Sequence, residues 1–136
     1  MINVNSPEIL WLVLTILLTA VLWIPQIVHS IFVAGSRTAF LYPDEAATYY
    51  ADWAKRSKSA HNNAVENLIV YVPLVLIVLL LEISSNLTTI ASVTYFVARA
   101  VHYAMHVLAI PLMRTVAFLV GFTCQVIIGV TILNAL

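Results

Sequence analysis

Charge is scarce in this chain. Only 9% of its 136 residues are Asp, Glu, Lys or Arg, with six basic side chains against six acidic ones. That is too little to coat a water-soluble globule. The balanced charge also leaves no basic stripe, which excludes nucleic acid as a partner class. Cysteine is nearly absent. Cys124 alone cannot form an intramolecular disulfide or a multi-cysteine metal site, and inside its apolar run it reads as a buried, inert thiol. No basic residue precedes the first apolar run and no small-x-small site closes it. That run therefore reads as a retained transmembrane helix and not as a cleaved signal.

Apolar length is abundant. Hydrophobic residues make up 62% of the chain and the mean hydropathy is +1.01, the composition of an integral membrane protein. The pattern predicts an all-α membrane protein, a four-transmembrane-helix antiparallel bundle. It forms a single domain over residues 1–136, with helices over about 7–34, 52–83, 87–109 and 112–135. Ser6, Pro7 and Glu8 supply a cap, a first-turn proline and a favourable charge for the first helix. At ~1.5 Å per residue it can cross ~30 Å of hydrocarbon. Pro25 is expected to kink it and Gly35-Ser36-Arg37 to end it. Tyr49, Tyr50 and Trp53 suit a segment lying at the membrane surface. Pro73 is expected to bend the second helix, Asn86 to cap the third, and Ile110-Pro111 to part the third from the fourth. Ala117, Gly121 and Gly129 give the fourth helix a seam of small residues for close packing.

Basic residues set the orientation. Arg37, Lys55, Arg56 and Lys58 lie in the first connection and Arg114 follows the third, whereas the second has none. The positive-inside rule puts the first and third connections in the cytoplasm and both termini on the opposite side. Short loops and the lack of a targeting sequence point to a bacterial inner membrane.

The densest polar run, residues 56–67, opens the second helix. Within it Ser59, Asn63 and Glu66 share a face. Arg99, His102 and His106 share a face of the third helix, and Arg114-Thr115 begins the fourth. A charge at the centre of the bilayer costs ~2.5–3.5 kcal/mol or more, so such groups face protein or water. Two readings follow. One is a structural network in which Glu66 pairs with Arg99 or Arg114. The other is a cytoplasm-facing pocket for a charged, peptide-like ligand. In that pocket arginines hold carboxylates and stabilise an anion, while Asn63 and Glu66 hold amide or amine groups.

The run Ala60-His61-Asn62-Asn63-Ala64-Val65-Glu66-Asn67 resembles the signature of the MAPEG family, the membrane-associated proteins in eicosanoid and glutathione metabolism. Arg99, His102 and His106, followed by Pro111, Arg114 and Phe118, are similar to the family's third- and fourth-helix pattern. The motifs cover helices two to four, and helix one matches by topology only. The resemblance implies a homotrimer that binds glutathione between subunits and acts as a transferase or peroxidase on lipophilic electrophiles. It implies that Asn63, Glu66, Arg99 and His102 contact glutathione, that Arg114 stabilises its thiolate, and that Arg37, His106 and Thr115 occupy further contact positions. Membrane lipid, glutathione and the electrophile are then the partners.

Three positions depart from the family pattern. Ser59 stands where many members have Arg, with Arg56 and Lys58 nearby. His106 stands where Tyr is common, and Pro73 comes later than the usual proline. The chemistry itself is simple. A free thiol has a pKa of roughly 8.5, and a guanidinium beside it favours the anion, each pKa unit being worth ~1.4 kcal/mol. The thiolate then attacks an electrophile from the bilayer or reduces a hydroperoxide.

Three rivals carry less. A haem or metal site would draw on His102, His106 and His61 but lacks clear further ligands, so no metal is expected. A small multidrug pump needs a deep carboxylate, and Glu8 stands at a helix mouth. A non-catalytic MAPEG-like protein, whose polar cluster is structural or binds another anion, is the main alternative.

Overall fold

The computed structural model describes residues 6–136 and contains six helical elements. They are α1 (Pro7–Val21), α2 (Ile24–Leu41), α3 (Pro43–Ala47), α4 (Asp52–Leu80), α5 (Asn86–Val107) and α6 (Pro111–Leu133), with no strand among the described residues. Three stretches are long and apolar enough to cross a membrane: Pro7–Leu41, Asp52–Leu80 and Pro111–Leu133. Large apolar side chains such as Phe32, Ile69 and Leu112 are strongly exposed on the outside. That outward apolar surface fits lipid and not water. With the family finding given below, these features make the chain an integral membrane protein.

Proline places the break between α1 and α2. Pro25 has no N–H to return to the carbonyl of Val21, and its ring crowds that carbonyl. Regular helix accordingly stops at Val21 and restarts at Ile24. The Leu22 carbonyl at the break accepts a hydrogen bond from the Tyr103 hydroxyl at 3.1 Å. Tyr103 is in turn 2.7 Å from the Ser57 hydroxyl, so one phenol joins the α1–α2 break to α4 and α5. Gly35 interrupts the helix, as the sequence leads one to expect, but a second helical stretch follows it within the α2 span. Gly35 takes φ 79 and ψ 155, a conformation open essentially to glycine alone, and helical bonding resumes to Leu41. Arg37 therefore lies on a helix and not in a loop. Pro73 leaves α4 continuous.

The helix starts also differ in detail from the sequence reading. Ser85, and not Asn86, caps α5. Its hydroxyl accepts the Thr88 N–H while Thr88 accepts the Ser85 N–H, a reciprocal capping box. Glu8 does not stand at an open helix mouth: it is 1% exposed. Its carboxylate accepts hydrogen bonds from Thr88 at 2.6 Å and Thr89 at 3.1 Å. It thus lies against the positive ends of both α1 and α5.

Helix α5 is central, packing on α1, α4 and most closely on α6. Gly121 and Ala117 are buried on α6, where the absence of bulk lets α5 approach. The core comprises Leu12, Val75, Val78, Cys124, Ile128 and Ile132 around Tyr71 and Tyr95, whose rings stack at 3.8 Å. This apolar half of the bundle lies toward Glu8. The opposite half is polar.

Candidate functional site

Ser59, Asn62, Asn63 and Glu66 recur at i, i+3, i+4 and i+7 on α4, so they form one stripe. The last turns of α5 bring His102 and His106 opposite that stripe, and the first turn of α6 brings Arg114. These seven side chains line an open, polar cavity of about 550 Å³, within the range that holds small ligands. Glu66 is exposed in it and makes no ion pair among the described residues. The pairing of Glu66 with Arg99 or Arg114 expected of a purely structural network is therefore not formed.

Arg99 stands behind the cavity. It is 3% exposed, and its Nη2 donates to the Asn63 side-chain oxygen at 2.7 Å. Its Nε and Nη1 have no hydrogen-bond partner. Asn63 is itself held by Asn67, whose amide donates to the Asn63 carbonyl at 2.9 Å. Gln125 of α6 donates to the Asn67 carbonyl at 3.1 Å and lies 3.4 Å from the Tyr95 hydroxyl. A ladder of amides thus runs from Gln125 through Asn67 and Asn63 to Arg99. Gly121 leaves room for it, since a β-carbon there would meet Arg99 Cδ at 3.6 Å and the Tyr95 ring at 3.8 Å.

The two histidines are also left with bonding capacity. Their rings meet edge-on at 5.6 Å, and Nδ1 of each is buried without a partner. Arg114 is the one guanidinium and Glu66 the one carboxylate that share the cavity wall with these imidazoles among the described residues. Buried polar atoms without partners are costly to a folded chain.

The MAPEG family model matches residues 9–134. The chain belongs to the MAPEG family. Neither the curated proteins nor the solved structures compared with it give a match. The family includes glutathione transferases among its members.

Within this MAPEG chain the candidate residues separate into groups. Asn63, Glu66, His102, His106 and Arg114 line the cavity, and Arg99 reaches it through Asn63. Thr115 does not line it: the hydroxyl bonds back to the Pro111 carbonyl at 2.9 Å and is exposed. Arg37 is exposed on α2 and is likewise absent from the wall. Asn62 is on the wall and was missed. Its place one residue before Asn63, three after Ser59 and four before Glu66 was the available signal. Among the described residues no group of three His, Cys, Asp or Glu could hold a metal ion.

Proposed function

We propose that this protein is a membrane-embedded, glutathione-dependent transferase or peroxidase acting on lipophilic electrophiles. One observation carries the reading: Arg114 faces a polar cavity whose other walls offer a carboxylate without an ion-pair partner among the described residues, Glu66, and the unpartnered Nδ1 atoms of His102 and His106, with unpartnered nitrogens of Arg99 behind them. Glutathione supplies an ammonium for Glu66, carboxylates for the arginines and a thiol for Arg114. The guanidinium of Arg114 lowers the cost of the thiolate by charge-assisted hydrogen bonding. In transfer, the thiolate sulfur forms a bond to the electrophilic carbon and the leaving group departs with its electron pair. In peroxide reduction, the thiolate attacks the O–O bond, releasing the alcohol, and a second glutathione completes the disulfide and yields water.

In this reading α1–α2, α4, α5 and α6 are the four crossings of one domain. The chain assembles as a homotrimer in a bacterial inner membrane, with the cavity toward the cytoplasm and both termini on the other side. The test is Arg114→Ala in the chlorodinitrobenzene assay. Conjugation is expected to vanish while the oligomer in detergent stays intact, and unchanged turnover removes Arg114 from the mechanism.

A non-catalytic role has one observation in its favour. Asn63 already serves as the partner of Arg99, so part of the polar cluster is satisfied within the chain. A protein of that kind gives a flat conjugation assay in the wild type.

A further inference from the structure

Ser57 on α4 and Tyr103 on α5 form a bonded pair outside the cavity wall, their oxygens 2.7 Å apart. Tyr103 is also 3.1 Å from the carbonyl oxygen of Leu22. A phenol has one proton and a carbonyl can only accept. Tyr103 therefore donates to Leu22, and Ser57 donates to Tyr103. The Leu22 carbonyl lies in the break between α1 and α2, where regular helix is interrupted. The chain of bonds thus has one direction, from α4 through α5 to that break.

The place of this pair in the bundle gives it leverage. Over the first half of α4 the buried residues are Ala54, Ser57, Ala60 and Ala64. Only Ser57 among them carries a side-chain donor, and it is 0% exposed. In a membrane the apolar surface of a helix is as well placed against lipid as against another helix. Small residues and interhelical hydrogen bonds then decide where helices rest. Ser57 stands just before Ser59, where the wall stripe of α4 begins, and Tyr103 directly follows His102 on the facing wall. Both helices run unbroken through those positions. Further bonds join the same helices on either side of the pair, from Arg56 Nε to the Val107 carbonyl at 2.9 Å and from Arg99 Nη2 to Asn63 at 2.7 Å. Of these rungs, the one through Tyr103 also reaches a third part of the bundle.

We propose that Ser57 and Tyr103 are positioning residues for the polar cavity. Their bond sets the separation of the α4 and α5 walls, and with it the fit of glutathione between Asn63 and Glu66 on one side and His102 and His106 on the other. This rests on the function proposed above. Arg114 is on α6, outside the pair. The bond therefore governs how tightly glutathione is held and not the charge state of its sulfur.

Glutathione calorimetry on wild type, Ser57→Ala, Tyr103→Phe and the double variant tests this, each in detergent and well below its melting midpoint. Ser57→Ala leaves Tyr103 bonded to Leu22 and cuts only the link between α4 and α5. It is expected to weaken glutathione about threefold to tenfold. Tyr103→Phe is expected to weaken it at least as much. Adding Ser57→Ala to Tyr103→Phe is expected to cost nothing more, because the bond is already gone. The thiolate absorbance of the saturated complexes is expected to equal that of wild type. If Ser57→Ala binds glutathione as wild type does, whatever its melting midpoint, the pair only stabilises the bundle and the proposal falls while the proposed function stands. Losses that multiply in the double variant, or a thiolate band that falls with the affinity, also overturn it. If wild type binds no glutathione, both fall. Should Tyr103→Phe not fold, Ser57→Ala against wild type decides alone.

Discussion

Arg99 on α5 donates a 2.7 Å hydrogen bond to the side-chain oxygen of Asn63 on α4. The bond fixes the one buried arginine by a neutral amide and leaves Glu66 unpaired on the cavity wall. The cluster therefore keeps both a free carboxylate and unspent cationic donors, which a self-neutralised salt bridge would not.

Asn63→Ala removes the partner of a guanidinium that is almost fully buried. The loss of one hydrogen bond to a charged group costs about 1.5–3 kcal/mol. Thermal denaturation in detergent is expected to show a lower midpoint, and glutathione binding is expected to weaken in the same variant. An unchanged midpoint would mean that Arg99 finds another partner.

Gly121 tests the packing behind that bond. A β-carbon there sits 3.6 Å from Arg99 Cδ, ordinary van der Waals contact. Gly121→Ala is therefore expected to be neutral or to gain up to about 1 kcal/mol from helix propensity. Gly121→Leu overfills the same space, at a cost of about 1–3 kcal/mol, and pushes Arg99 from Asn63. Melting points and glutathione affinity of the pair should separate in that order.

Ala109 follows the end of α5 with φ 59, and the Ile110 N–H reaches back to the Met105 carbonyl. This is the left-handed turn that glycine fits best. Ala109→Gly is expected to stabilise the protein by about 0.5–1 kcal/mol, read as a higher melting temperature. A fall in melting temperature would show that the turn is not strained.

Glu8 lies at the end of the bundle away from the cavity. Glu8→Ala strands its threonine donors and is expected to cost about 1–3 kcal/mol, whereas Glu8→Gln keeps an acceptor for them and costs less. Neither is expected to change glutathione affinity. A change in affinity with unchanged stability would tie Glu8 to the site.

The apolar runs and their prolines were legible in the sequence because hydropathy and the missing N–H act locally. The break before Pro25 is one example. Gly35 was legible as an interruption, whereas the helical stretch that resumes beyond it and carries Arg37 was not. Likewise Glu8 read as a mouth residue because its partners, Thr88 and Thr89, are 80 residues away or more. In the site, Asn63, Glu66, His102, His106 and Arg114 were legible from helical spacing and motif together. The Gln125 ladder was not, since it acts through a backbone carbonyl of another helix and side-chain spacing carries no trace of that.

The most direct test of the account is the ultraviolet thiolate absorbance of glutathione bound to the purified protein at neutral pH, compared with Arg114→Ala. The account predicts a thiolate band in the wild type that is lost in the variant even where glutathione remains bound. A band of equal strength in the variant, or no band in glutathione-saturated wild type, would contradict it.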